Sequence, residues 1–166
     1  MSQPPNKLYK KDRMKSRQEA VNVARTWLGT PYVKRQRCKG AGVDCGQLLA
    51  GYLIEIEAVT EADVSEYGPY GSDWFHHTRD ELYLKELMKF GKLIAETKCR
   101  GGQKIEPGNL VLFRVARSRV FNHGAIITAW PMGIHANREG VCETDLICDP
   151  LTSHKEMAVF DPWGKP

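Results

Sequence analysis

The chain has 166 residues, of which 42% are hydrophobic and 27% are charged, and its formal net charge is +4. This composition predicts one globular domain and excludes a disordered or fibrous chain. Its Lys and Arg residues are scattered without interleaved aromatic residues or a nucleic-acid motif, so we expect no nucleic-acid partner. No stretch has the length and apolarity of a membrane span, so we expect no membrane partner.

The five cysteines form no paired pattern. Neighbouring cysteines lack the C-x-x-C spacing of structural zinc sites, so we expect free thiols, no metal and no cofactor. The cysteines are Cys38, Cys45, Cys99, Cys142 and Cys148.

The N-terminal residues 1–15 are polar and rich in Lys, which predicts a flexible basic arm before a single domain at 16–166. The first seven residues lack the apolar core of a signal peptide. We therefore expect synthesis in the cytoplasm, and a target outside the cell would be reached with another carrier such as a virion.

The first predicted helix begins at Ser16, which forms a capping box with Glu19. Its apolar positions, from Ala20 to Leu28, share one face, and Gly29 is placed to end the helix. Pro31 then prevents the helix from continuing, so Tyr32 follows in an extended segment.

The stretch after two loop glycines places a cysteine at the start of a second predicted helix. Asp44 is a good N-cap, and Cys45 follows it at the positive end of the helix dipole. This position favours a thiolate, so we expect a lowered thiol pKa and a nucleophile. The alternative is a small apolar residue that packs at a helix start. The buried face of this helix is predicted to contain Leu48, Leu49, Tyr52, Leu53 and Ile56.

Residues 59–77 have no regular pattern but contain several aromatic residues, and we interpret them as a binding wall or a packed surface loop. Tyr67 and Tyr70 lie in this stretch. Thr78 and Glu81 then predict a second capping box. The helix that follows is expected to carry Leu82 to Leu93 as its apolar positions and to end at Gly91 or soon after.

The second half of the chain changes to a strand pattern. Strands are predicted at 110–115, 121–130 and from 134 onward, with shorter candidates at 141–147 and 157–160. Helices followed by strands indicate an α+β fold in which N-terminal helices pack on a C-terminal antiparallel sheet.

Two histidines lie in neighbouring predicted strands. His123 begins one strand, and His135 lies twelve residues later, across a short turn. Side chains on one face of adjacent strands come within hydrogen-bond reach. Thiol catalysis requires an imidazole as base and a second polar group that fixes its tautomer, so this pair is a candidate partner for Cys45. Taken singly, each histidine is better explained as a half-buried, satisfied ring, and only the pair beside Cys45 favours a site.

These motifs together resemble the NlpC family of cell-wall cysteine peptidases, and its phage-encoded branch in particular. The resemblance covers about residues 18–160 and rests on their order and spacing. The matching segments are Gly29-Thr30-Pro31-Tyr32, Asp44-Cys45, the stretch from Pro107 to Phe113, His123, and Ile134-His135-Ala136.

The resemblance implies a papain-like fold and hydrolysis of peptide bonds in peptidoglycan stem peptides, next to D-glutamate. Carried over by position, Cys45 is the nucleophile, His123 the general base and His135 the residue that orients it. Tyr32 shapes the substrate end of the site, where we also place Asp44 and Gln47 as substrate-binding residues. The backbone amide of Cys45 is the expected oxyanion donor.

The chain departs from the family pattern at two places. Gly46-Gln47 stands where a Ser-Gly pair is usual, and Val33-Lys34-Arg35 replaces a tryptophan-glycine pair after the tyrosine. Two alternatives stay open: a non-catalytic phage tail or assembly protein that keeps the fold, with tail proteins as partners, and an acyltransferase of related fold.

Overall fold

The computed structural model describes residues 13–64 and 74–164. The four helices that it contains are α1 Arg17–Arg25, α2 Cys45–Glu55, α3 Glu61–Val64 and α4 Leu82–Leu87, and a 3-10 turn lies at Trp74–His76. The strands are β1 Arg37–Cys38, β2 Gly42–Val43, β3 Lys92–Lys98, β4 Leu110–Phe113, β5 His123–Ala129, β6 Met132–Asn137, β7 Gly140–Asp145 and β8 Glu156–Asp161.

The sheet has six antiparallel strands in the order β3-β8-β4-β5-β6-β7. Consecutive strands β4 to β7 are neighbours because each is joined to the next by a connection that reverses the chain. The mixed helix and sheet composition and the antiparallel sheet predicted from the sequence are confirmed.

The core consists of two clusters, and successive residues along a strand belong to one cluster and then the other. One contains Leu110, Leu112 and Ile126 together with apolar residues of α1 and α2, and the other contains Val111, Phe113 and Ile127. This alternation follows from the two-residue period of a strand. All five residues predicted for the buried face of α2 are at most 4% exposed.

Helix α1 begins as predicted but ends earlier. The Ser16 hydroxyl accepts from Glu19 N, and the Glu19 carboxylate accepts from Ser16 N at 2.8 Å. The chain leaves the helix after Arg25 and turns, so that Trp27 is buried and Leu28 is 42% exposed. Gly29 then has φ of +78°, a conformation that glycine adopts without strain.

The second predicted capping box is wrong. Glu81 precedes α4 without a side-chain cap, because its carboxylate binds Phe121 N and Arg114 instead. The helix is also shorter than expected, and Leu93 lies in strand β3. Tertiary contacts have replaced the local ones here.

Two predicted segments lie partly outside the described residues. The described residues do not include 1–12 of the predicted basic arm. They also do not include 65–73 of the aromatic stretch, which contains Tyr67 and Tyr70. At the end of the arm, Lys15 N donates to Ile56 O at 3.1 Å and Lys15 O accepts from Trp163 Nε1 at 3.1 Å.

Candidate active site

Cys45 is the first residue of α2, and Asp44 fixes the start of that helix. The Asp44 carboxylate accepts from Gln47 N at 2.8 Å and from Arg35 N at 2.7 Å, and the side chain is buried. One oxygen therefore caps the helix while the other holds the preceding loop. The N-cap role predicted for Asp44 is confirmed, and its role in substrate binding stays a prediction.

The Cys45 thiol lies against the backbone on both sides of His123. Sγ donates to Asn122 O at 3.7 Å, and the Gly124 amide donates to Sγ. The Asn122 side chain holds this corner, because its Oδ1 accepts from Val115 N at 2.9 Å and its Nδ2 donates to Val115 O at 3.3 Å. In this resting arrangement the thiol hydrogen bond goes to a carbonyl rather than to the His123 ring.

The two histidines meet as the strand pairing requires. Ala125 on β5 lies opposite His135 on β6, which places His123 diagonally across, and His123 Nε2 is 2.9 Å from His135 Nδ1. The hydrogen-bonded proximity of the pair is therefore observed. Their catalytic roles stay predictions.

Beyond His135 the contacts continue to two residues that the sequence did not single out. His135 Nε2 is 3.1 Å from Thr144 Oγ1 and 3.4 Å from an oxygen of Asp149. An ionised carboxylate only accepts, so it favours a proton on His135 Nε2. His135 Nδ1 then accepts from His123 Nε2, and His123 Nδ1 is left with its lone pair. This is the tautomer that a general base needs.

The pKa values indicate a neutral resting site. Burial, reinforced by Asp44, raises the pKa of the Cys45 thiol to about 12. Burial and the neighbouring His135 lower the pKa of His123 to about 3. Burial also lowers the pKa of His135, although Asp149 opposes that change. The lowered thiol pKa expected from the helix position is therefore wrong, because desolvation of a buried thiolate outweighs the helix dipole.

Tyr32 and Gln47 are the other two residues predicted for the site, and their surroundings differ. Tyr32 bridges to Val43, and its pKa is raised to about 12 by burial and by the neighbouring Cys45 and Asp44. It therefore lies within electrostatic range of the thiol. The Gln47 side-chain oxygen accepts from Arg37 Nη1 at 3.1 Å, so its amide is turned toward the basic loop.

Tyr83 is a further residue that the sequence analysis missed. Its hydroxyl, on helix α4, lies beside the start of α2 and lowers the pKa of the Cys45 thiol. In the sequence it was one position of a predicted amphipathic helix, and nothing in the local pattern distinguishes it.

Within residues 13–64 and 74–164, no group of three or more His, Cys, Asp or Glu side chains is arranged to hold a metal ion. No helix in the same ranges has the length and apolarity needed to cross a bilayer.

Comparison with solved structures shows which fold this is. An NlpC/p60 family protein from Bacillus cereus matches with a TM-score of 0.60 and 15% identity, over 90% of this chain and 41% of that chain. NlpC1 from Trichomonas vaginalis matches with a TM-score of 0.57 and 19% identity, over 84% of this chain and 42% of that chain. The NlpC/p60 domain of the peptidoglycan hydrolase SagA matches with a TM-score of 0.52 and 18% identity, over 87% of this chain and 98% of that chain.

These matches show that the chain has the fold of NlpC/p60 domains. It spans less than half the length of the Bacillus cereus and NlpC1 chains and nearly all of the SagA domain. No protein-family profile and no curated protein sequence matches the chain.

Proposed function

We propose that this chain is a cysteine peptidase that hydrolyses peptide bonds in bacterial peptidoglycan stem peptides. The observation that carries the proposal is the position of the Cys45 thiol against the backbone that flanks His123, while the His123 ring is held by His135. The shared NlpC/p60 fold supports it, since one of the similar structures is the domain of a peptidoglycan hydrolase. A papain-like arrangement of helix and sheet is part of the same proposal.

The reaction we propose is acyl transfer to water. Sγ attacks the scissile carbonyl carbon while its proton passes to His123 Nδ1, which requires the thiol to turn away from Asn122 O. The imidazolium then protonates the leaving amine, and a thioester remains on Cys45. Water attacks the thioester, His123 takes a proton from the water, and the carboxylic acid and the thiol are released.

The N-terminus of α2 supports the negative charge that develops in both steps. The backbone amide of Cys45 is our proposed donor to the oxyanion, because the first amides of a helix have no intrahelical acceptor. Tyr32, Asp44 and Gln47 are proposed to border the substrate. Cleavage next to D-glutamate and an association with phage tail proteins rest on the resemblance of the sequence motifs.

The test is hydrolysis of purified stem peptides, followed by chromatography of the products. We expect Cys45→Ala to lower the rate by at least about a thousandfold, because it removes the nucleophile. Cys38→Ala is the matched control, since Cys38 is exposed on β1 and should leave the rate unchanged. A folded wild-type protein that cleaves no stem peptide, or a Cys45→Ala variant with full activity, would contradict the proposal and favour a non-catalytic role.

A further inference from the structure

Tyr83 lies directly over the start of helix α2. A Cβ atom built on Gly46 would be 2.5 Å from Tyr83 Oη and 2.9 Å from Tyr83 Cζ, which is closer than real Cβ contacts. The tyrosine hydroxyl can therefore occupy this place only because the residue after Cys45 is glycine. From there the hydroxyl lowers the pKa of the Cys45 thiol.

The position of Tyr83 is fixed by contacts on its own segment. Two residues earlier, the Glu81 carboxylate accepts from Phe121 N at 2.8 Å and from Arg114 Nη2 at 2.6 Å. Phe121 immediately precedes Asn122, whose carbonyl accepts from the Cys45 thiol. The ring of Tyr83 also packs on Trp74, with 5.2 Å between centroids. These contacts therefore join helix α4 to the segment at Asn122 that contacts the thiol.

The groups that face the thiol act in opposite directions. Asp44 raises the thiol pKa, and Tyr32 and His123 are the other titratable groups nearby, from the extended segment and from β5. The Tyr83 hydroxyl and the amides of Gly46 and Gly124 lower it. Among these groups Tyr83 acts through a side chain, so a substitution can remove its effect.

We propose that the Tyr83 hydroxyl stabilises the Cys45 thiolate as it forms, by donating a hydrogen bond to Sγ through the space left by Gly46. This inference rests on the proposed thiol chemistry. It adds a catalytic residue on α4 that contacts the reacting sulfur.

The first test is the rate of Cys45 alkylation by iodoacetamide, measured by mass spectrometry between pH 7 and pH 9. A hydrogen bond to a charged group contributes about 1.5–3 kcal/mol, so Tyr83→Phe should raise the thiol pKa by about one to two units. The remaining thiolate becomes more nucleophilic with a Brønsted slope of about 0.4–0.5, so the net rate should fall by about three- to fifteenfold. Loss of an oxygen atom can only widen the approach to sulfur, so a change in access would increase the rate.

The second test leaves the tyrosine intact. Gly46→Ala places a methyl group where the hydroxyl lies, and the ring has room to tilt because it borders an apolar cavity of about 50 Å³ beside Leu87 and Phe90. We expect the same decrease in alkylation as in Tyr83→Phe. The double variant should be no slower than either single one, because both remove the same hydrogen bond.

Tyr52→Phe is the matched control, since it removes another buried tyrosine hydroxyl, one on α2 itself that donates to Gly108 O at 2.8 Å. It should leave the alkylation rate unchanged. The proposal is overturned if Gly46→Ala, or a folded Tyr83→Phe variant, is alkylated as fast as the wild type, or if the two effects add. Alkylation needs no substrate, so these results are independent of whether stem peptides are cleaved.

Discussion

The contact between His135 and Asp149 leads to a quantitative prediction for Asp149→Asn. The carboxylate lies 3.4 Å from His135 Nε2 and favours a proton on that nitrogen. An asparagine can instead turn its NH2 group toward Nε2. His135 would then carry its proton on Nδ1 and donate to His123, which moves the His123 proton to Nδ1 and removes the proposed base.

The size of the effect depends on how strongly Asp149 determines which nitrogen of His135 carries the proton. General base catalysis contributes about 10²–10⁴ in rate. Thr144 Oγ1 lies 3.1 Å from the same nitrogen and can keep part of the population in the correct tautomer. We therefore expect kcat to fall by about 10- to 100-fold, which corresponds to about 1.4–2.7 kcal/mol in the activation barrier. Protonation of His135 would also make it a donor to His123 and remove the base, so the acid limb of kcat/KM should follow the pKa of His135. That limb should move to lower pH in the variant, because Asp149 raises the pKa of His135 and the variant lacks that charge.

The assay is stem-peptide hydrolysis as a function of pH, with Asp145→Asn as the matched control. Asp145 is an acidic residue of the same turn, and its carboxylate accepts from Ile147 N at 3.0 Å and Cys148 N at 3.3 Å. An asparagine oxygen can keep those bonds, as it can keep the bond from Leu151 N to Asp149. Equal kcat and equal acid limbs in the two variants would refute the tautomer argument, because both lose one negative charge.

Two further predictions concern stability. Because burial lowers the pKa of His123 from 6.5 to about 3, the unfolded chain binds a proton in that pH range and the folded chain does not. Above pH 6.5 His123 should therefore not affect the free energy of unfolding, and at pH 5 it should lower that free energy by about 2 kcal/mol. Urea titrations at the two pH values measure this loss, and we expect a smaller loss in His123→Asn. Tyr52→Phe leaves the buried Gly108 carbonyl without its 2.8 Å hydrogen bond and should cost about 1–3 kcal/mol in the same titrations, and an unchanged value would contradict this.

The parts of the fold that were predictable depend on short-range interactions. The cap of α1, the cap of α2 and the buried face of α2 use residues within about two turns of one another, so the local pattern contains the information. Strand β3 was missed because it pairs only with β8 within the described sheet and buries none of its residues, so no alternation marks it. Leu93 on that strand also extends the apolar spacing of α4.

The same difference in range applies to the site. His123 and His135 could be paired from the sequence because a short turn joins their strands. Asp149 reaches His135 from the turn after β7, and Tyr83 reaches Cys45 from a separate helix, so neither has a local signal. The burial of the thiol is a property of the whole core. For that reason the helix start alone gave the wrong direction for the Cys45 pKa.

The neutral resting state has a consequence for how the proposed reaction would proceed. With a thiol pKa of about 12 and a His123 pKa of about 3, the Cys45–His123 ion pair is strongly disfavoured before substrate arrives. Sulfur attack and proton transfer would then occur together. The negative charge that develops on sulfur and the positive charge that develops on the imidazole would each need a stabilising group. Tyr83 is positioned for the sulfur, and Asp149, through His135, for the imidazolium. Loss of either group should therefore affect the chemical step more than substrate binding, and the decrease should appear in kcat with little change in KM.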